Sequence, residues 1–311
     1  MISRPLNRFA SLLTPVLIFL SSLPAFAWGN EGHIAVNKTA ALKIPRDMPS
    51  FLRKSTDRIA YLGPEPDRWR EKSEYALKNC QEPDHYIDLE RVDDIREFPQ
   101  GRYEFYELLY AKRAHASDHA EDYLPERVGL QPYITMEIYG RLKAAFRQYR
   151  QLKREHKSTA AVEQNIVFYA GWLGHYVADA ANPLHTTIHY NGWVGNNPEG
   201  YSTSKDIHWK FEGAFVANHL AQLRFDDLVS RPARLADPFH DYIRYLRDSN
   251  KLVQQVYEIE KDHGLEAGGS AEAIDFVRHR LAAGAQMLLN LWYSAWEEST
   301  EPATPQVKSV P

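Results

Sequence analysis

Apolar residues recur at steps of three and four along three long stretches of the chain, and each stretch predicts an amphipathic helix. Ile134, Ile138, Leu142, Ala145 and Tyr149 share one face of the first. Val162, Ile166, Tyr169, Leu173 and Val177 share a face of the second, which carries His175 and Asp179 before Pro183 ends it. Ile274, Val277, Leu281, Leu288 and Ala295 mark the third. Shorter helices are expected from about Gly32 to Leu42 and from near Lys205, the latter carrying His208 and Glu212. Strand-like alternation is scarce and no internal repeat is visible, so the expected fold class is all-α. Turn residues fall at Gly63-Pro64-Glu65-Pro66, around Asp84, at Phe98-Pro99-Gln100-Gly101 and from Asn191 to Gly200.

The first segment reads differently. Arg4 and Arg8, the apolar run Ala10 to Leu20 and the small-x-small site Ala25-Phe26-Ala27 make residues 1–27 a secretory signal peptide. The run is too short for a membrane anchor, and no later stretch approaches spanning length. Cleavage would leave Trp28 as the first residue of a secreted or periplasmic protein. The remaining length suits one domain, expected over residues 28–299, followed by a polar, Pro-containing tail over 300–311 that predicts disorder. Cys80 is the single cysteine, so no internal disulfide can form, and it reads as a small buried hydrophobe.

Charge narrows the chemistry. The formal net charge is -4, and losing Arg4 and Arg8 with the leader takes it to -6. A broad basic face for nucleic acid does not fit that balance, so an anionic substrate would have to be attracted by metal ions. Thirteen histidines are many for this length, and several stand near carboxylates.

In Gly174-His175-Tyr176-Val177-Ala178-Asp179-Ala180-Ala181-Asn182-Pro183-Leu184-His185, His175 and Asp179 lie four apart on the predicted helix. Their side chains leave one face and can converge on a cation, and the proline lets His185 turn back towards them. His208 and Glu212 repeat the spacing. Either pair alone equally describes an ordinary hydrogen bond or a solvated i,i+4 pair; the recurrence favours metal. A freed Trp28 amino group, with a pKa near ~8, can chelate a cation with its own carbonyl oxygen, and His33 follows five residues on. Pro66-Asp67-Arg68-Trp69-Arg70 and Pro83-Asp84-His85-Tyr86-Ile87-Asp88 add Asp67 and His85, with Asp57 competing for the role of Asp67.

These residues resemble the superfamily of secreted, mostly helical phospholipases C and S-one/P-one single-strand nucleases. The resemblance runs from Trp28 to about Glu212 and implies three zinc ions. One would be held by Asp67, His85, His175 and Asp179, a second by Trp28, His33 and a shared Asp179, and a third by His185, His208 and Glu212. It implies that Asp67 and Arg70 act in catalysis and that Tyr86 and Asp88 line a base pocket. The short Trp28–His33 spacing, the insertion between His185 and His208, and His85-Tyr86-Ile87-Asp88 favour the nuclease branch. Glu212 favours the phospholipase branch, because the nucleases usually carry Asp there. The expected substrate is therefore single-stranded nucleic acid, with phospholipid as the alternative and a non-catalytic zinc-binding protein as a third reading.

Overall fold

The computed structural model describes residues 28–300. The signal-peptide reading of residues 1–27 and the tail reading of residues 301–311 lie outside the described residues. The helices run, in order, α1 Gly29–Leu42, α2 Ser50–Lys54, α3 Thr56–Leu62, α4 Glu65–Arg68, α5 Tyr75–Gln81, α6 Arg102–His115 and α7 Pro125–Val128. They continue with α8 Gln131–Arg154, α9 Ala160–Ala181, α10 Phe215–His219, α11 Pro238–Asn250, α12 Val253–Lys261 and α13 Ala271–Glu298. Among the described residues there is no strand, only an isolated bridge between Tyr190 and Gly192, so the fold is all-α as the periodicity predicts. No helix among them is long and apolar enough to cross a membrane.

The three predicted faces point inward. Ile134, Ile138, Leu142 and Ala145 of α8 are buried, as are Val277, Leu281, Leu288 and Ala295 of α13, with Tyr149 and Ile274 half-buried. Helix α9 is central: it packs against α8, α13, α3 and α1. Every residue of its end from Leu173 to Ala181 is buried, which is why that end is apolar or small on all sides except for His175 and Asp179. Helix α1 starts at Gly29, three residues before the expected position. Helices α6, α11 and α12 have no counterpart among the expected ones.

Small residues on α9 let its neighbours approach closely. The Asn37 amide of α1 donates to the carbonyls of Ile59 and Gly171, each at 2.9 Å, joining three helices with one buried side chain. A Cβ at Gly174 would fall 1.8 Å from Asn37 Oδ1, and one at Gly171 would fall 2.5 Å from Leu62 Cβ. Gly174→Ala is accordingly expected to destabilise the fold by about 2–3 kcal/mol, because overpacking displaces the amide from both carbonyls. A denaturant midpoint equal to that of the wild type would contradict it.

Cys80 corrects an expectation, being exposed and not buried. Helix α5 has no buried residue and packs on the turn at Glu82–His85, so it has no core-facing side on which a thiol could hide.

Candidate metal centre

Each candidate ligand arrives on a separately punctuated segment. Helix α1 presents His33. Gly63 and Pro64 break α3 from α4, and the four residues of α4 carry Asp67 inward, where it is 3 % exposed. Asp67 therefore sits in a short helix and not in a loop or cap. Asp57, the competing acid, is exposed on α3. Pro83 opens the 3-10 turn Glu82–His85 that delivers His85. After α9 ends, the Asn182 side chain accepts the Leu184 N–H at 3.0 Å and starts the 3-10 turn Pro183–Thr186, which returns His185 to the cluster. Glu212 lies within a π-helical stretch, Trp209–Ala214, immediately after His208. Such wide turns are rare and frequent at functional sites.

The side chains converge. Asp179 uses its two oxygens on two sides: Oδ1 stands 3.4 Å from His33 Nε2, while Oδ2 stands 3.1 Å from His85 Nδ1 and 3.3 Å from His175 Nε2. Asp67 repeats the arrangement at 3.9 Å, Oδ2 towards His33 and Oδ1 towards both His85 and His175. Both carboxylates thus span two donor groups, where only Asp179 was expected to be shared. Glu212 meets His185 Nε2 at 3.1 Å through Oε2 and His208 Nε2 at 2.8 Å through Oε1. His33-Asp67-His175, His85-His175-Asp179 and His185-His208-Glu212 each gather three donor atoms within 4.8 Å of one another. A tetrahedral ion with bonds of about 2.0–2.1 Å separates its ligands by roughly 3.3 Å, close to these spacings.

Hydrogen bonds around the cluster aim the donors. His175 Nδ1 donates to the Gly63 carbonyl at 2.9 Å, His185 Nδ1 to the His85 carbonyl at 2.8 Å and His208 Nδ1 to the Tyr190 carbonyl at 3.0 Å. A carbonyl can only accept, so in the neutral ring each Nε2 keeps a lone pair facing the carboxylates. Asp67 Oδ2 and Asp179 Oδ1 are buried without a hydrogen bond. Unsatisfied buried acceptors of this kind suit a cation.

Electrostatics agree. Burial pushes the Asp67 carboxyl up to about 7 despite Arg70, and burial together with Asp67 raises Asp179 well above the usual range. Burial also drives His85, His175 and His185 below the ordinary imidazole value, with Glu212 opposing it at His185. At His208 the Glu212 carboxylate more than offsets burial and raises the value. Burial raises Glu212 as well, but His208 and His185 together bring it down to about 2. Around Asp67 and Asp179, acids that resist ionisation beside imidazoles that resist protonation form a site short of positive charge, and a divalent cation would supply it; the Glu212 group instead pairs an ionised acid with His208.

The cluster opens on a cavity of about 470 Å³ whose wall includes His85, His185 and His208. Arg70, Tyr86 and Asp88 also line it. Arg70 Nη1 stands 3.4 Å from Asp67 Oδ1, and its Nη2 stands 3.7 Å from Glu82 Oε1. The Tyr86 hydroxyl donates to the Glu126 carbonyl at 2.5 Å. Asp88 Oδ2 accepts from Arg91 Nε at 3.0 Å, and burial holds its pKa at about 7. Arg91, Arg127, Tyr190 and Asn191 also line this cavity, and no spacing in the sequence pointed to them. Trp28 packs beside the cluster: its indole Nε1 donates to the Ala178 carbonyl at 2.6 Å, and a Cβ at Gly29 would lie 3.5 Å from the Glu212 carbonyl oxygen.

No family model and no curated protein matches the chain. Among solved structures it is similar to the alpha toxin from Clostridium absonum, with a TM-score of 0.48 and 12% identity, covering 89% of this chain and 66% of the toxin. The alpha-toxin of Clostridium perfringens avian strain SWCP gives a TM-score of 0.44 at 12% identity, covering 90% of this chain and 66% of that one. The chain thus spans just under two thirds of the length of either toxin chain.

Proposed function

We propose that this chain is a zinc-dependent hydrolase of phosphodiester bonds whose substrate is single-stranded nucleic acid. The observation that carries the reading is the convergence of five imidazoles and three carboxylates in one cluster, of which His85, His185 and His208 line a cavity that Arg70 also lines. Mixed nitrogen and oxygen donors at these separations suit zinc. Three ions would occupy the three donor groups, and Trp28 would join the His33 group once cleavage before it frees its amino nitrogen.

Bound zinc would neutralise phosphoryl oxygens and lower the pKa of water in the cavity. The protein's own groups do the rest. Arg70 extends past Asp67 into the cavity and clamps the negative charge that grows on phosphorus. Asp67 faces both neighbouring donor groups and holds the attacking water in line. Tyr86 and Tyr190 offer flat faces beside Asp88 and Asn191, the combination that stacks an unpaired base and reads its edge. Phospholipid is the second reading, favoured by the longer acid at Glu212.

The test is turnover by the purified, zinc-loaded protein on denatured DNA, RNA and phosphatidylcholine vesicles. Cleavage of nucleic acid alone supports the proposal. Turnover of phosphatidylcholine alone selects the second reading, and full zinc occupancy without turnover leaves a zinc-binding protein. Arg70→Ala is expected to lower kcat by about 10²–10³-fold with zinc content unchanged. Loss of zinc in that variant would move Arg70 from substrate to site assembly.

A further inference from the structure

Between Asp179 and His185 lies a residue that neither the spacing argument nor the ligand geometry uses. Asn182 is fully buried, and each of its polar groups is engaged with a different part of the centre. Its backbone N–H donates to the Asp179 carbonyl at 2.9 Å. Its side-chain oxygen accepts the Leu184 N–H at 3.0 Å, opening the turn that carries His185. Its amide nitrogen donates to Glu212 Oε2 at 2.8 Å, across 30 residues of chain.

The last bond fixes the carboxylate. Glu212 Oε2 receives Asn182 and stands 3.1 Å from His185, whereas Oε1, 2.8 Å from His208 Nε2, is buried without a hydrogen bond. The Asn182 amide donates to Oε2 whatever the protonation of the imidazoles, so without it only the two ring contacts restrain the carboxylate.

We propose that Asn182 is a positioning residue for the third metal group, joining the His185 turn to Glu212 so that His185, His208 and Glu212 present one preformed set of donors. This rests on the proposal that these residues hold zinc. The length of the side chain matters: Ser or Thr can still cap the turn but cannot reach Glu212, whereas Gln keeps both an amide donor and an acceptor.

The experiment is a chelator competition on the full-length, zinc-loaded wild type and on Asn182→Ser, Asn182→Thr and Asn182→Gln. It is paired with the unfolding midpoint of each metal-free protein. In the Ser and Thr variants one class of zinc is expected to weaken by about 10–100-fold, the usual effect of losing a partner outside the ligand set, while the remaining zinc is held as in the wild type. Asn182→Gln should restore most of that affinity. Unchanged affinity in a folded Ser or Thr variant overturns the proposal, as does a Gln variant no better than Ser. Loss of all zinc together with a lowered metal-free midpoint in both short variants also overturns it, because Asn182 would then serve only as a helix cap. A wild type that binds no zinc refutes the proposed function itself and is distinguishable from all of these.

Discussion

Asp179→Asn is expected to cost two equivalents of zinc and at least about 10³-fold in phosphodiesterase turnover. The size of the effect follows from geometry. One carboxylate oxygen faces His33 and the other faces His85 and His175, so a single side chain contributes to two donor groups. An amide of the same shape keeps one oxygen, replaces the other with a donor that cannot ligate, and removes the negative charge. Stability should move the other way. Burial already resists ionisation of Asp179, so a neutral isostere should leave the metal-free fold as stable as the wild type or more so at pH 8. Metal content and steady-state turnover, read beside denaturant unfolding, separate a chemical from a structural effect. Full zinc with near wild-type turnover would remove Asp179 from the site.

Chelation is the second large perturbation, and its effect should depend on pH with opposite signs in the two forms. Zinc bound to the folded state alone stabilises it by about 4 kcal/mol per site at free concentrations about 1,000-fold above Kd. In the metal-free chain, Asp67 and Asp179 hold their protons more tightly than in the unfolded chain, because burial raises both. The stability they contribute is present at low pH and is lost as pH rises through about 7. His208, raised by Glu212, changes in the same direction. His85, His175 and His185 are lowered by burial, so their contribution is present above the ordinary imidazole value and is lost on acidification. The interval from about pH 6.5 to 8.5 therefore leaves out the three lowered imidazoles and reports the acids together with His208. Across it the metal-free protein should lose stability, about 1 kcal/mol of it for the proton on Asp67. The zinc-loaded protein should hold or gain stability, since its ligands are already ionised and fewer protons compete for them. Parallel slopes with zinc and with chelator would show that these acids do not face a cation.

The difference between what the sequence disclosed and what it concealed is physical. Helices α8, α9 and α13 were legible because each buries a continuous stripe over many turns. Helix α6 was not: only Phe105 and Leu109 are buried, Tyr106 and Leu108 pack half-buried against the core, and charged residues cover much of the rest. Helix α11 carried a readable start, Asp237 capping the His240 N–H before Pro238 in the first turn, but its inward face uses Tyr242 and Tyr245, which blur the apolar count. At the site, spacing exposed His175, Asp179, His208 and Glu212 because helices convert sequence distance into direction. Choosing Asp67 over Asp57 required burial, which spacing cannot report. The carbonyls of Gly63, His85 and Tyr190 that orient three imidazoles were hidden because every residue has a carbonyl. Asn182 stood inside the most informative segment and drew no attention, since an asparagine before proline reads first as a turn.

The eight donor side chains come from segments spread between His33 and Glu212, and only the His185-His208-Glu212 group is supplied by two consecutive segments. During synthesis the His185 group cannot close until Glu212 has emerged, and the groups around Asp179 wait for α1, α4 and α9 to dock. Loop closure over such distances carries an entropic cost, so the two groups around Asp179 form only when their separate segments meet. A chain made only as far as α9 therefore lacks His208 and Glu212, and under the proposed function it would be inert.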